Sequence, residues 1–297
     1  MSKSVPLYQV DAFTAERFRG NPAAVCILND ASHAHVDDLT KSKIAAEMNL
    51  SETAFLEPSA SGEIGSFKLR WFTPTVEVDL CGHATIAASA ALLQGEGLQA
   101  DELHFETRSG TLTVKRTKDG LFHLSVPSLP PIDPEPGTPE EMCEILEILG
   151  VGNIDFEASV HYCSKLRYLM VMCDASAHDG SVAAFKALAP DYRALHERCK
   201  ALDILAVMVT ATDPTGTNDL LLRFFAPAAG IDEDPVTGSA YAVAGPFWAQ
   251  ALKKQQLRAR QCSPRGGDII VTVDATPGRV DVAGSAVIVS KGVLYLD

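Results

Sequence analysis

The chain has 297 residues and a hydrophobic fraction of 46%, enough to bury one large core or two of ordinary size. Its formal charge of −13 argues against the basic face that nucleic-acid binding requires, and no Lys/Arg cluster offers a contact to an anionic membrane. Seven cysteines (Cys26, Cys81, Cys143, Cys163, Cys173, Cys199 and Cys262) form no CxxC pair, and Met1-Ser-Lys-Ser4 opens no apolar leader, so a reducing, cytoplasmic setting is expected.

In chain order, strand signals appear at 6–12 and 23–28. His33 and His35 follow in a polar stretch with no third ligand at metal spacing, so no metal site is expected. Residues 36–48 read as a helix, then come the apolar Thr53–Leu56 and an alternating strand, Phe67–Phe72. Ala84–Leu93 is apolar all round and predicts a helix buried at the centre of its half. Lys118-Asp119-Gly120 joins two alternating runs as a hairpin turn. Pro127 to Gly137 carries five prolines and reads as a linker. A helix then begins at Thr138-Pro-Glu-Glu141, a capping box with proline in the first turn.

The second half repeats the first. A strand at 167–173 and a helix at 190–201 lead to the apolar Ile204–Val209 and the strand Leu220–Phe225. A second all-apolar helix, Ala240–Leu252, is expected to kink or restart at Pro246. Strands at 268–274 and 285–295 close the chain. Both apolar helices are shorter than the roughly 20 residues that span a bilayer. The repeat is sharpest in one motif. Arg70-Trp-Phe-Thr-Pro74, six residues, then Cys81-Gly-His-Ala84 matches Arg223-Phe-Phe-Ala-Pro227, nine residues, then Thr237-Gly-Ser-Ala240. Two α+β halves are predicted, each a rolled β-sheet around a central buried helix, with a cleft between them. Their expected ranges are 1–126 and 127–280, and strands from about 281–297 are free to complete the first.

A Gly turn that opens a helix aims backbone N–H groups and the positive pole of the helix at an anion, so Gly82 and Gly238 are candidate carboxylate binders. Each alone reads equally as a tight-turn glycine, and Ser239 as an ordinary helix cap. The duplication favours function. Glu52 lies between a helix and a strand with apolar neighbours, where burial would raise its pKa toward that of a general acid/base. By spacing, its counterpart in the second half is Leu205, so the carboxylate is not part of the repeat. His83 is a candidate proton shuttle or a capping residue, and Asp234 a substrate acceptor or a turn opener. Arg70 and Arg223 read as structural partners for carboxylates or loop carbonyls. Arg265-Gly-Gly267 reads as an approach to a ligand phosphate or as a hairpin loop. No GxGxxG, P-loop or GxSxG pattern occurs.

Asp11-Ala-Phe-Thr14, Phe18-Arg-Gly-Asn-Pro-Ala-Ala-Val25, Asn49-Leu-Ser-Glu-Thr-Ala-Phe55, Leu80-Cys-Gly-His-Ala-Thr85, Glu233-Asp-Pro-Val-Thr-Gly-Ser-Ala240 and Gln261-Cys-Ser-Pro-Arg-Gly-Gly267 stand in an order that resembles the phenazine-biosynthesis isomerase family, the PhzF-like proteins. The chain resembles most those of animals and other eukaryotes. The resemblance implies a diaminopimelate-epimerase-like fold, with the site in the cleft between its halves. It implies Glu52 as general acid/base, His83 and Asp234 flanking the substrate, Ser239 facing it, and Gly82 and Gly238 as backbone donors. It also implies a homodimer that works without metal or organic cofactor.

The expected activity is proton movement on a small carboxylic acid, an isomerisation. Two alternatives are an epimerase or racemase, and a non-enzymatic binding or regulatory protein keeping the fold. A two-thiol racemase is disfavoured, because Thr237 stands opposite Cys81 in the repeat and a hydroxyl is far too weak an acid to replace a thiol. Tyr241 departs from the family pattern, and its meaning depends on whether it points to the cleft or to the core.

Overall fold

A computed structural model describes residues 4–28, 36–151, 158–173 and 181–296, so His33 and His35 lie outside the described residues. The chain divides into two units. One takes the residues up to Ser125 together with those from Val282 onward, and the other runs from Val126 to Asp281.

The first unit contains strands β1 (Ser4–Ala12), β2 (Asn21–Ile27), β3 (Glu52–Pro58), β4 (Ser66–Phe72), β5 (Glu77–Val78), β6 (Glu102–Thr107) and β7 (Gly110–Arg116). It also holds most of β8 (Phe122–Pro127) and all of β16 (Ala286–Tyr295). The spatial order is β16-β1-β2-β3-β4-β6-β7-β8, with β5 beside β4. The C-terminal strand thus returns to pair antiparallel with β1, from Ser4 opposite Tyr295 to Ala12 opposite Ala286. The second unit holds β9 (Ala158–Cys163), β10 (Tyr168–Cys173), β11 (Ala206–Ala211), β12 (Leu220–Phe225), β13 (Gln256–Gln261), β14 (Gly267–Val273) and the start of β15 (Arg279–Gly284), in sequential order.

The repeat read from sequence is a repeat of topology. β1–β2 is antiparallel, β2–β3 parallel, β3–β4 antiparallel, β4–β6 parallel and β6–β7 antiparallel. The series β9–β10, β10–β11, β11–β12, β12–β13 and β13–β14 follows the same alternation. Phe55 pairs with Arg70 and Val209 with Arg223, which sets the register between the units. The counterpart of Glu52 is therefore Ala206, opposite Tyr168, and not Leu205. The expectation was one residue off because motif spacing alone does not fix ladder register.

Helix α1 (Asp38–Met48) precedes β3, and α2 (Gly82–Ala90) lies between β4 and β6. In the second unit, α3 (Pro139–Leu149), α4 (Ser181–Lys186) and α5 (Tyr192–Ala201) precede β11, and α6 (Ala240–Leu252) lies between β12 and β13. Local chemistry sets their ends. Asp37 accepts from Thr40 N–H at 2.8 Å to start α1, and Thr138 with Glu141 forms the expected capping box of α3. Every residue of α2 from His83 to Ala90 is buried, and the helix packs on β1, β2, β3 and β16. Alanine at 84, 87, 88 and 90 keeps helix propensity high while letting strands pack close on all sides. α6 occupies the same place in its own unit and packs on β13 and β14.

Pro246 neither stops nor restarts α6. A proline inside a helix leaves the carbonyl four residues earlier without its donor. Here that carbonyl, Ala242 O, accepts from Leu129 N–H at 2.9 Å, so the proline-rich segment supplies the missing donor.

Candidate active site

In the first unit three chemically able side chains meet. Glu52 opens β3, and Cys81 and His83 flank the glycine that starts α2. All three are buried. His83 Nε2 lies 3.1 Å from Glu52 Oε2, a buried ion-pair contact in which neither atom has another hydrogen-bond partner. The other ring nitrogen, Nδ1, lies 3.2 Å from Asn21 Nδ2 and 3.4 Å from Cys81 Sγ. Asn21, the first residue of β2, is itself held by a 3.2 Å hydrogen bond from Ser51 Oγ to its Oδ1. In a neutral His83 the Asn21 amide donates to Nδ1 and the ring proton sits on Nε2, toward Glu52; in the protonated ring Nδ1 is itself a donor, and Cys81 Sγ is the acceptor on that edge.

Burial pushes the Glu52 carboxyl up, but the charge of His83 and hydrogen bonds from His83 and Cys81 outweigh it, and its pKa lies below the ordinary 4.5. The expectation of a raised value is corrected: it counted the apolar surroundings and not the imidazole. Burial likewise opposes charge on His83, yet Cys81 and Glu52 hold its pKa well above the ordinary 6.5. Burial raises the Cys81 thiol to about 11, so it stays protonated at neutral pH. The rest state is an ionised Glu52 beside a protonated His83.

No side chain caps α2, and its first backbone bond runs from Thr85 N–H to Cys81 O at 3.1 Å. The Gly82 and His83 N–H groups are left facing outward along the helix axis, an anion-binding arrangement.

The second unit builds its version from different chemistry. Asp234 Oδ2 accepts from Thr237 Oγ1. Gln261 Oε1 accepts from Thr237 N–H, and its Nε2 donates to Asp234 O, both at 2.8 Å. Ser239 is not the expected helix cap. Its backbone is already helical (φ −67°, ψ −23°), and its hydroxyl lies 3.1 Å from Tyr168 OH at the start of β10. α6 opens instead with three tight i→i+3 bonds, from Ala240, Tyr241 and Ala242 N–H to Thr237, Gly238 and Ser239 O. In each unit, then, the residue after the turn glycine meets a residue opening a strand: His83 with Asn21, Ser239 with Tyr168.

Comparison with known proteins reads the same way. The phenazine biosynthesis-like protein family (PhzC-PhzF) matches residues 10–292. The chain belongs to the PhzF-like family. It is 39% identical to the mouse phenazine biosynthesis-like domain-containing protein 1, covering 98% of this chain and 99% of that one. It is 41% identical to a Pseudomonas aeruginosa protein named an uncharacterized isomerase, covering 98% of each. The crystal structure of a PhzF-family phenazine biosynthesis protein from Enterococcus faecalis superposes with a TM-score of 0.82 at 35% identity, over 99% of this chain and 100% of that one. A hydroxyproline epimerase from Agrobacterium vitis shares the fold at a TM-score of 0.58 and 13% identity, over 100% of this chain and 94% of that one. The fold of this PhzF-like chain is accordingly α+β and diaminopimelate-epimerase-like.

Of the residues singled out in the sequence, Glu52, Gly82 and His83 come together in one unit, and Asp234, Gly238 and Ser239 share the loop into α6 in the other. Tyr241 points into the core of its unit and is fully buried. Arg70 and Arg223 are structural, as read. Each binds a glutamate with two nitrogens, Glu77 at 2.6 and 2.7 Å and Glu233 at 2.8 Å twice, and stacks on the aromatic ring two residues on. Asn21, Tyr168 and Gln261 were missed. Asn21 had one signal, an Asn-Pro pair before a strand, which reads equally as a turn. Donor atoms of Glu52, Cys81 and His83 lie within 4.8 Å of one another, a set whose chemistry suits a divalent ion. The thiol faces Nδ1 and the carboxylate Nε2, on opposite edges of the ring, so one ion on one nitrogen does not reach both without rearrangement.

Proposed function

We propose that this PhzF-like chain is an isomerase that moves a proton on a small carboxylic acid, with Glu52 as general acid/base. The observation that carries the reading is the buried Glu52–His83 ion pair, 3.1 Å long, in which neither atom has another hydrogen-bond partner. A buried carboxylate–imidazole pair whose pKa values are pushed away from their ordinary values is suited to proton transfer.

In this mechanism the substrate carboxylate is held by the outward N–H groups of Gly82 and His83. Glu52, ionised at rest, takes a proton from the adjacent activated carbon. The electron pair shifts into the conjugated system, and the negative charge that develops is stabilised by protonated His83 and the start of α2. The carboxylic acid so formed on Glu52 returns the proton at the far end of the conjugated system. An anion beside His83 competes with Glu52 for its charge, which makes Glu52 a stronger base when substrate is bound. Asn21 acts as a positioning residue through His83 Nδ1. The proposed reaction uses no metal or organic cofactor. The names of the bacterial isomerase relatives support the reaction class.

The test is deuterium uptake in heavy water from a pool of small carboxylic acids, read by mass spectrometry. Exchange into one compound with a shifted double bond is expected, reduced by roughly 10²-fold or more in Glu52→Gln. Exchange that persists in Glu52→Gln contradicts the role given to Glu52, and exchange at a stereocentre with no double-bond shift makes the enzyme an epimerase.

A further inference from the structure

A second feature lies wholly within the Val126–Asp281 unit. A cavity of about 260 Å³ is lined by Lys186, Arg223, Arg260, Arg265 and the 261–266 backbone, four cations in a chain of formal charge −13. Arg223 is matched by Glu233, and Arg260 by Asp268 at 2.6 Å, but no described carboxylate pairs with Lys186. The lining is therefore net positive in an acidic protein. Burial raises the Cys262 thiol at the cavity wall to about 11 and Asp213 adds to the rise, while Lys186, Arg260 and Arg223 pull the other way.

The loop is shaped for close approach. Gly266 has φ +64°, the left-handed region that favours glycine, and the Arg260 guanidinium lies against it. Gly266 N–H donates to Ser263 Oγ at 3.0 Å, and Ser263 Oγ donates to Pro235 O at 2.7 Å. With Gln261 holding Thr237 and Asp234, two lining residues of the cavity also hold the loop that carries Asp234, Gly238 and Ser239.

The geometry points to an oxyanion site in this cavity, recognising a phosphate or carboxylate group through Lys186, Arg260 and Arg265 and coupled to the 234–239 loop through Gln261 and Ser263. Guanidinium and ammonium groups converging on a small cavity suit tetrahedral or planar oxyanions better than a spherical halide. The ligand is either a free anion or the acid group of a larger metabolite.

Inorganic phosphate, acetate and chloride are titrated into the purified full chain by isothermal titration calorimetry at fixed ionic strength. Phosphate or acetate binding is expected, chloride binding is not, and Lys186→Ala and Arg260→Gln each weaken it about tenfold. Glu52→Gln binds as the wild type does, which separates this site from the proposed reaction. Thermal melts confirm that the variants are folded. A metabolite carrying the anion is recognised by binding tighter than phosphate or acetate and losing the same factor in Lys186→Ala. Absence of phosphate and acetate binding at millimolar concentration, equal binding of chloride, or unchanged affinity in both folded variants overturns the proposal.

Discussion

Glu52 and His83 fix each other's charge, and the sign of that coupling can be followed through pH. The Glu52 pKa is lowered on folding, so its contribution to stability is present above about 4.5 and is lost as pH falls through the folded value. The His83 pKa is raised, so its contribution is present below about 6.5 and is lost as pH rises through the folded value. The pair stabilises fully between those limits, and the window widens on both sides by the two shifts. Glu52→Gln removes one charge and leaves a buried imidazole that burial alone drives toward neutrality. NMR titration of the His83 ring is expected to show a lower pKa in Glu52→Gln than in the wild type. The same midpoint in both would dissolve the pair. Asn21 Nδ2, 3.2 Å from His83 Nδ1, acts on the neutral ring, where its donation directs the Nε2 proton at Glu52.

The duplicated elements use the same residue types at different depths. Arg223 is 4% exposed and donates to Glu233 and to the carbonyls of Lys186 at 3.2 Å and Leu188 at 2.5 Å. Arg70 has a side chain 25% exposed and shares Glu77 and Asp38 with solvent. Truncating one partner of a buried pair strands the other charge, so Arg223→Ala is expected to cost about 3–5 kcal/mol. Arg70→Ala is expected to cost about 1 kcal/mol. Urea denaturation of both variants measures the difference, and equal losses would mean that burial does not govern these pairs. The arginines, the turn glycines and the all-apolar helices were legible because strand alternation, all-round apolarity and a repeated motif each leave a mark in sequence. The continuity of α6 was not, since its rescue comes from Leu129, more than a hundred residues away. Nor was the true partner of Ser239, because Tyr168 reaches it through the fold and a serine before a helix reads as a cap. The lowered Glu52 pKa was hidden for the same reason: His83 is distant in sequence and adjacent only once β3 and α2 are packed.

At the scale of the molecule, one unit is contiguous from Val126 to Asp281 and the other is completed only when β16 pairs with β1. The first unit carries the Glu52–His83 pair, and the second carries Asp234, Ser239 and the basic cavity on the same repeated topology. Gly82 and Gly238 hold the same place in both units, while Glu52 has Ala206 as its counterpart and His83 has Ser239. Both units keep the paired arginine and the central helix and differ in what stands at the helix starts. In the proposed mechanism catalysis requires Glu52 ionised and His83 protonated at once. The most direct test is the pH profile of substrate deuterium exchange in the wild type and in Glu52→Gln. The predicted wild-type profile is bell-shaped, rising with a midpoint below 4.5 as Glu52 ionises and falling only above 6.5 as His83 loses its proton, with Glu52→Gln near background throughout. A wild-type rate that is flat across both limits, or a Glu52→Gln rate that matches it, would contradict the account.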